Sequence, residues 1–463
     1  MGIAPRNDPP IVFWLLLALV VLLPLPLGAV YQWAWASMAC VVGVLLGVWG
    51  ARVAGGLQDP AIGLRTVWPL AVPFAFAVVW IGLQAQSFTP DRWHHPLWST
   101  AAAALGGDVA GAISLDPFDT LSGLVRLLAY AGIFWLSLQY CRRAAHARQV
   151  LLAVAYAGGV YALYGLVVYL AGSPTILIFR KTVYLDDVTS TFVNRNSWAT
   201  YAGLALVCAS GLILALITQG AGTAASLKRR VVRTLELAVA RGWPLLLTWV
   251  VLLPALVLAH SRGGFFSSVI GLLVLLLGAG MTRAVGRKVL LAFAAVCGTV
   301  IAGVFLTGGQ PLLMRLLQTS LTLEERPLVY ERTMVAIGDS GALGTGFGTF
   351  EDAFRFYRSS DINGHFNMAH NSYLENALEL GLPAAVALFA VFAGFLVLCA
   401  MGIRRRRRDA VYPCVGFAAT ALVAVHASID FSLQIPAVTA TYMLIMGAAC
   451  AQCWSSRHPP DPW

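Results

Sequence analysis

Charge is scarce in this chain. Of its 463 residues only 11% are charged and 59% are hydrophobic, whereas soluble proteins carry about 25% charged residues. This composition excludes an ordinary soluble domain. Long unbroken apolar runs also exclude a transmembrane β-barrel, whose strands alternate apolar and polar residues. We therefore predict an all-α integral membrane protein with a single polytopic membrane domain over residues 1–463.

Several sequence patterns for catalysis and metal binding are missing as well. The chain contains no D-x-D, G-x-S-x-G or H-E-x-x-H sequence, which argues against a metal-dependent nucleotide-sugar transferase, a serine hydrolase and a zinc protease. Its eight cysteines fall in apolar runs or at their predicted inner ends, so no disulfide framework is expected. Cys450 and Cys453 form a lone C-x-x-C pair, which indicates packing rather than zinc binding. The sequence thus predicts neither a metal nor a cofactor.

Apolar runs as long as a membrane-spanning helix, roughly 20 residues, make up most of the chain. About twelve occur, near 11–30, 33–51, 67–87, 119–140, 150–171, 194–217, 244–259, 264–281, 289–307, 381–402, 411–429 and 432–452. With the N-terminus in the cytoplasm, most Lys and Arg residues fall in inner loops, as the positive-inside rule requires. Both termini are then cytoplasmic, and the outer face carries loops at 88–118, 172–193 and 308–380. The run Arg404 to Arg408 is interpreted as a membrane anchor, and no nucleic-acid partner is expected.

Three short stretches place basic side chains at the outer ends of these runs. They are TFVNRNSWATYAG around Arg195, LAHSRGGFFSSVIG with His260, Ser261 and Arg262, and NMAHNSYLENALELGLP with His370. A charge at the membrane edge is costly, which makes each of them a functional hypothesis by default. The alternative for each arginine is snorkelling to lipid phosphate. For Arg126, inside the fourth run, snorkelling and an internal ion pair compete with a functional role.

The outer segment 308–380 is too long for a structureless loop without a function. Its part PLVYERTMVAIG has helical spacing, and GDSGALGTGFGTF carries four glycines without a Walker pattern. We interpret the glycines as a flexible, close-packed turn over a site.

A short helix is predicted directly after His370. Ser372-x-x-Glu375 matches a capping box, and Gly381 followed by Pro383 predicts the end of the helix. Its apolar face, formed by Leu374, Ala377 and Leu378, predicts that the helix lies on the membrane surface and holds His370 at the depth of a lipid diphosphate.

These stretches, in this order, resemble the bacterial O-antigen ligase and O-antigen polymerase superfamily. His370-Asn371, nine further residues and Gly381 are similar to the histidine signature of that family, with Ala384 where the family usually has Gly, Thr or Tyr. SRGG and TFVNRNSWA resemble two other landmarks, and ERTMVAIGDSGALGTGFGTF resembles the segment before the family histidine. The resemblance extends roughly from Asp116 to Ala449.

The resemblance implies a metal-independent glycosyltransferase in the bacterial inner membrane, with an active site that faces the periplasm and includes part of segment 308–380. Its donor would be a glycan on a polyprenyl diphosphate, usually undecaprenyl diphosphate, held among membrane lipids. The two key arginines of the family correspond to Arg195 and Arg262, and its essential histidine to His370. Further candidates for substrate binding are Asn371, Arg332 and Arg126.

These residue types suit such a reaction. Arginine is always charged and its planar fork fits phosphate oxygens, so Arg195 and Arg262 could stabilise a leaving diphosphate without Mg²⁺. A neutral histidine can accept the proton of a sugar hydroxyl. The N-terminal dipole of the helix that follows His370 would help to keep this imidazole neutral.

Several functions remain as alternatives. A ligase would transfer the glycan to lipid A–core, and a polymerase would join lipid-linked repeat units. A protein O-oligosaccharyltransferase is disfavoured because the chain ends at Trp463, soon after its last apolar run, and a flippase or transporter is disfavoured because no internal repeat is evident. His426 and Asp430 share a helix face, where they either support the site or are solvated at the interface.

Overall fold

The computed structural model describes residues 10–221, 240, 242–282, 291, 294–295, 298–299, 321–406 and 408–454. Its helices are α1 (Ile11–Leu22), α2 (Gln32–Ala54), α3 (Trp68–Gln84), α4 (Leu97–Leu105), α5 (Pro117–Tyr140), α6 (Ala144–Leu170), α7 (Arg195–Ala221), α8 (Trp243–Leu258), α9 (Arg262–Met281), α10 (Leu321–Ser340), α11 (Phe350–Phe354), α12 (Ser372–Leu380), α13 (Leu382–Arg405), α14 (Val411–Ala427) and α15 (Pro436–Ala451). Short 3-10 turns lie at Leu27–Ala29, Leu64–Thr66, Asp91–Trp93 and Ser432–Gln434, and β1 (Thr175–Ile176) pairs antiparallel with β2 (Phe179–Arg180).

Helices occupy eleven of the twelve predicted apolar runs, and the run near 289–307 lies largely outside the described residues. Six described helices are long and apolar enough to cross a membrane, namely α2, α5, α6, α7, α9 and α13. Five shorter apolar helices accompany them, namely α1, α3, α8, α14 and α15. The all-α class and a multi-pass membrane protein are therefore confirmed, while the number of spans stays a prediction.

Helix α7 lies at the centre of the bundle, where it contacts α6, α8, α9 and α14. Within its most apolar 18 residues 83% are buried, against 44% or less in the other five long helices. Its first turns are fixed by an aromatic cluster, since Phe192 packs 6.1 Å from Trp198 and 5.4 Å from Tyr201, centroid to centroid. The start of α7, and with it Arg195, therefore has a well-defined position.

The two ends of the bundle differ in chemistry. At one end, guanidinium groups bind the last carbonyls of the α15 region, because Arg142 donates to Ala451 O at 2.7 Å and Arg406 to Trp454 O at 2.7 Å. This is the end with the Arg404–Arg408 run. The opposite end carries the starts of α5, α7, α9 and α15, together with the outer segment.

The outer segment has a small core of its own. Helices α10, α11 and α12 bury a shared cluster of apolar side chains, which are Val329, Ala336, Phe350, Ala353, Phe354, Ile362, Ala369 and Leu378. Leu380 of α12 is buried with Ala77 and Ile81 of α3. The prediction that α12 lies on the membrane surface is therefore wrong. Its apolar residues Ala377 and Leu378 are covered by neighbouring elements rather than by lipid.

The predicted capping box is also displaced by one residue. Asn371 is the N-cap of α12, and its side-chain oxygen accepts the backbone N–H groups of Tyr373 and Leu374 at 3.0 and 3.2 Å. Ser372 is the first helical residue, and its hydroxyl donates to Asp430 O at 3.2 Å. The serine thus joins α12 to the connection between α14 and α15 instead of capping its own helix.

The glycine turn is close-packed, as predicted, but against the end of α12. Gly344 and Gly381 have φ values of 72° and 73°, and a Cβ on Gly344 would overlap the backbone of Glu379, Leu380 and Gly381. Hydrogen bonds from Thr345 N to Leu378 O and from Gly346 N to Glu379 O, both 3.0 Å, continue this contact. The turn fixes the C-terminal end of the helix that follows His370.

We expect Gly344→Ala to destabilise the protein much more than Gly341→Ala. Both glycines have positive φ, so either alanine would destabilise the folded state by roughly 1–2 kcal/mol through its left-handed backbone conformation. Only the Cβ at Gly344 meets other backbone, since a Cβ at Gly341 has no neighbour within 4 Å. The measurement is the thermal midpoint of the purified protein in detergent. Equal midpoints for the two variants would show that the α12 contact is not tight.

Candidate active site

Among the helices that begin with a side-chain cap at the end of the bundle opposite Arg142 and Arg406, three carry residues predicted from the sequence. The caps are Asn194, Ser261 and Asn371, whose side-chain oxygens accept backbone N–H groups of α7, α9 and α12. Arg195 and Arg262 are the first residues of α7 and α9, and His370 immediately precedes the cap of α12. Helix N-termini favour negative charge, so this end of the molecule suits an anionic group.

Two histidines next to these caps have left-handed backbone. The φ value is 49° at His260 and 51° at His370. Left-handed backbone at a residue other than glycine costs of order 1–3 kcal/mol and persists only where the surroundings enforce it. Such strained residues are concentrated at functional sites. The contacts that hold each histidine therefore help to define the site.

His370 is held by a buried carboxylate and an arginine. Its Nδ1 lies 3.5 Å from Asp430 Oδ1 and 3.3 Å from Arg326 Nη2, and its carbonyl accepts a hydrogen bond from the Tyr330 hydroxyl at 2.9 Å. The ring also packs edge-on against Phe431 at 4.8 Å. When Nδ1–H donates to Asp430, Nε2 is the ring nitrogen left to accept a proton.

Asp430 keeps its negative charge in this environment. Burial by itself would raise the pKa of Asp430, but the hydrogen bond with His370 and the charges of His426, His370 and Arg326 outweigh burial and hold the pKa below its ordinary value. Arg326 also donates to Ile429 O at 3.0 Å. A carboxylate that stays ionised beside an imidazole stabilises imidazolium when a proton arrives.

His260 forms a second histidine–aspartate pair. Its Nδ1 lies 2.7 Å from Asp187 Oδ1, and Arg195 donates from Nη1 to Asp187 Oδ2 at 2.7 Å. Lys181 donates to the backbone oxygen of Asp187 at 2.9 Å. The Arg195 guanidinium also lies over the Tyr184 ring, 5.0 Å from its centroid. Arg195 thus has protein partners, which argues against snorkelling.

The two pairs belong to one site because α7 connects them. Asn196, next to Arg195, donates to Asp430 Oδ2. Burial raises the pKa of Tyr184, and its hydroxyl also experiences the charges of Arg195, Asp430, Arg326 and Asp187. The structure therefore brings Arg195 and His370, both predicted from the sequence, into one polar centre.

The remaining sequence candidates have different positions. Arg262 is partly buried at the start of α9, where the neighbouring Gly263 packs closely against Ile429. Asn371 is occupied as a helix cap. Arg332 is partly buried on α10, with its Nε buried and without a hydrogen-bond partner in the described part of the chain. Arg126 lines an apolar cavity next to the polar centre.

Sequence reasoning missed Arg326 and Asp187. Arg326 occurs in LEERP beside two glutamates, and Asp187 follows another aspartate in an outer loop, so neither stands out from ordinary surface charge. Burial is the signal that distinguishes Asp187, which is 4% exposed, and burial becomes visible only in the fold. Asp430, left open between two roles, proves to be a partner of His370.

An apolar cavity of about 560 Å³ adjoins this centre. Residues on both sides of His370 line it, including Asn367, Ser372 and Tyr373, while Phe74, Phe134 and Phe392 line its apolar part. Arg126 also lines the cavity and lies over the Trp35 ring at 5.4 Å. The cavity can therefore hold an apolar chain with a polar end near His370.

Two buried carboxyl groups of α12 lie beside this cavity. Glu375 accepts the Ala369 N–H at 2.8 Å and the Gln434 amide at 2.9 Å, which braces the backbone next to His370. Glu379 accepts the Phe350 N–H at 3.0 Å. Burial raises the pKa of both carboxyl groups, and at Glu379 the charge of Glu375 raises the pKa further.

A group of three acids is the candidate metal site among the described residues. Carboxylate oxygens of Asp116, Asp119 and Asp352 lie within 4.8 Å of one another. Asp116 also accepts the N–H groups of Phe118 and Asp119 as the N-cap of α5. None of these acids contacts His370 or Arg195.

Comparison with known families supports the sequence resemblance. Residues 246–389 match the model of the O-antigen ligase family, a stretch that contains His260, Arg262, Arg326 and His370. No curated protein matches the chain. The resemblance to the O-antigen ligase and polymerase superfamily is thus confirmed over residues 246–389, and this match supports a function of the O-antigen ligase or polymerase type.

We expect Glu379 to contribute a loss of stability as the pH rises above 4.5, and Glu379→Gln to remove this contribution. The pKa of Glu379 is raised above 4.5 in the folded state, so the folded protein binds more protons than the unfolded chain, and stability is lost as pH approaches the raised pKa. Glutamine keeps the acceptor for Phe350 N–H but cannot ionise. The measurement is the thermal midpoint from pH 5 to pH 8, with exposed Glu331→Gln as control. Parallel curves for all three proteins would contradict the assignment.

Proposed function

We propose that the protein is a membrane glycosyltransferase that transfers a glycan from undecaprenyl diphosphate to a sugar hydroxyl. As an O-antigen ligase it would use lipid A–core as the acceptor. Joining lipid-linked repeat units, the polymerase reaction, would use the same donor and the same residues. The observation that carries the proposal is His370, fixed between Asp430 and Arg326 beside an apolar cavity.

The location of the site in the membrane follows from charge. The polar centre lies at the end of the bundle opposite Arg142 and Arg406. Basic residues concentrate on the cytoplasmic side of membrane proteins, so we assign the polar centre to the periplasmic face of the inner membrane. Lipid-linked glycans and their acceptors would meet the enzyme there.

The apolar cavity is an argument for a lipid-linked donor. Its aromatic and aliphatic walls suit the polyprenyl chain, and Arg126 and Asn376 line it close to the carboxylates of α12. This arrangement would place the diphosphate towards the helix starts that carry Arg195 and Arg262. Membrane lipids would fill the cavity when the donor is absent.

In the proposed reaction His370 is the general base. Its Nε2 would take the proton of the acceptor hydroxyl, while that oxygen bonds to the anomeric carbon of the donor sugar. The bond between this carbon and the phosphate oxygen breaks, and its electron pair leaves with the diphosphate. Asp430 would stabilise the imidazolium that results, and Arg195 and Arg262 would stabilise the leaving diphosphate without a metal ion.

We expect His370→Ala to lower the transfer rate by about 10²–10⁴-fold, the usual contribution of a general base. The matched control is His365→Ala, which removes an exposed histidine from the same segment. The assay uses purified donor lipid in liposomes, contains EDTA, and offers lipid A–core or a lipid-linked repeat unit as acceptor. Full activity of His370→Ala at wild-type protein levels would remove His370 from the mechanism.

We expect Arg195→Lys and Arg262→Lys each to slow transfer by about ten- to a hundredfold. Lysine keeps the charge but loses bidentate contacts, each worth about 1.5–3 kcal/mol, and 1.36 kcal/mol corresponds to tenfold in rate. Arg180→Lys and Arg358→Lys, in the outer loops, serve as controls and should stay near the wild-type rate. If both test variants keep more than half of the wild-type rate, these arginines do not bind the diphosphate.

A further inference from the structure

A second cavity, of about 500 Å³, lies on the other side of Asp187. The end of α6 and the segment 172–190 enclose it, and its lining residues include Tyr169, Ser173, Lys181, Asp186, Thr189 and Ser190. Its volume falls within the range of small-molecule sites, about 300–1,000 Å³. Unlike the cavity beside His370, which is mostly apolar, it is lined by polar and apolar groups in about equal parts.

Polar groups in this cavity have unused hydrogen-bonding capacity. Thr189 is 1% exposed, and its Oγ1 is buried without a partner in the part of the chain that the structure describes. The Lys181 ammonium is also buried and, among the described residues, donates one hydrogen bond, to Asp187 O, although it carries three donors. Leaving such groups unsatisfied is costly, so the cavity is suited to a polar occupant.

The chemical groups that line this cavity indicate which class of ligand it can bind. An ammonium donor, a carboxylate acceptor and two hydroxyls come from Lys181, Asp186, Thr189 and Ser173, and Tyr169 adds an aromatic ring. A simple anion would meet the charge of Asp186, and a simple cation would meet Lys181. A neutral sugar offers hydroxyls that both donate and accept, together with apolar C–H faces that pack on aromatic rings.

We propose that this cavity binds a neutral sugar unit of the glycan substrate, a role that rests on the glycosyltransferase function proposed above. Asp187 forms the wall between the cavity and the reaction centre. Its carboxylate binds His260 and Arg195, while its backbone oxygen binds Lys181. A sugar in the cavity would therefore lie one residue away from the arginine that we assign to the diphosphate.

Binding is tested directly with free oligosaccharides and purified protein in detergent. One probe is the glycan released from the lipid donor by mild acid, and the other is the core oligosaccharide of the acceptor. We expect one of them to raise the thermal midpoint, which identifies the substrate that uses the cavity. The shift should disappear in Lys181→Met and Thr189→Val and persist in Thr191→Val. Thr191 is the matched control, because its buried Oγ1 is equally unpartnered and it does not line the cavity.

The same variants are assayed for transfer. We expect Lys181→Met and Thr189→Val to raise KM for that substrate by about five- to tenfold, the effect of one lost hydrogen bond, and Thr189→Val to leave kcat nearly unchanged. Pyrophosphate serves as the anionic control probe. The sugar site would be overturned by a midpoint shift with pyrophosphate alone, by no shift with either oligosaccharide, or by identical KM values for all three variants. Absence of transfer by the wild-type protein would instead refute the glycosyltransferase function, since the binding measurement does not depend on turnover.

Discussion

Asp430 is the buried charge on which the arrangement of the site depends. It is 2% exposed, and an isolated carboxylate in such a position would cost several kcal/mol. The partners of its carboxylate come from separate parts of the chain, because Asn196 belongs to α7, Arg326 to α10, and His370 directly precedes the cap of α12. Satisfying this one charge therefore fixes how the outer segment sits on the helix bundle. His370 contacts this carboxylate from a left-handed backbone conformation.

The helices were predicted well because the signal for a spanning helix, a run of about 20 apolar residues, lies within one short stretch of sequence. Apolar length alone located eleven of the described helices, and three short stretches located His370, Arg195 and Arg262. The partners of these residues could not be predicted, because they are non-local. Asn196 and Asp430 are 234 positions apart, and nothing in LEERP distinguishes the arginine that reaches His370 from an exposed one.

The errors concerning α12 have the same origin. A helix with an apolar face beside a membrane is equally compatible with a lipid surface and with a protein surface, and the choice depends on whether other elements cover it. Here α3, α10 and α13 do so. Burial also changes the role of the two glutamates on that helix, which water would solvate at a membrane surface. Inside the protein, Glu375 and Glu379 receive backbone N–H groups from Ala369 and Phe350 that would otherwise be unsatisfied.

The position of the polar centre follows from the physics of helix ends. The first N–H groups of a helix have no partners within it, so capped starts with charged residues belong at the membrane edge, while apolar side chains continue along the helix into the bilayer. An apolar cavity can therefore extend inward from His370 between helices, but a cavity lined by Lys181 and Thr189 must lie among loops. In the proposed function, the apolar cavity would hold the lipid end of a substrate and the polar cavity its sugar end. Between these two cavities lie Asp187 and Asp430, which are linked through the neighbouring residues Arg195 and Asn196. The bond to be broken would be located there.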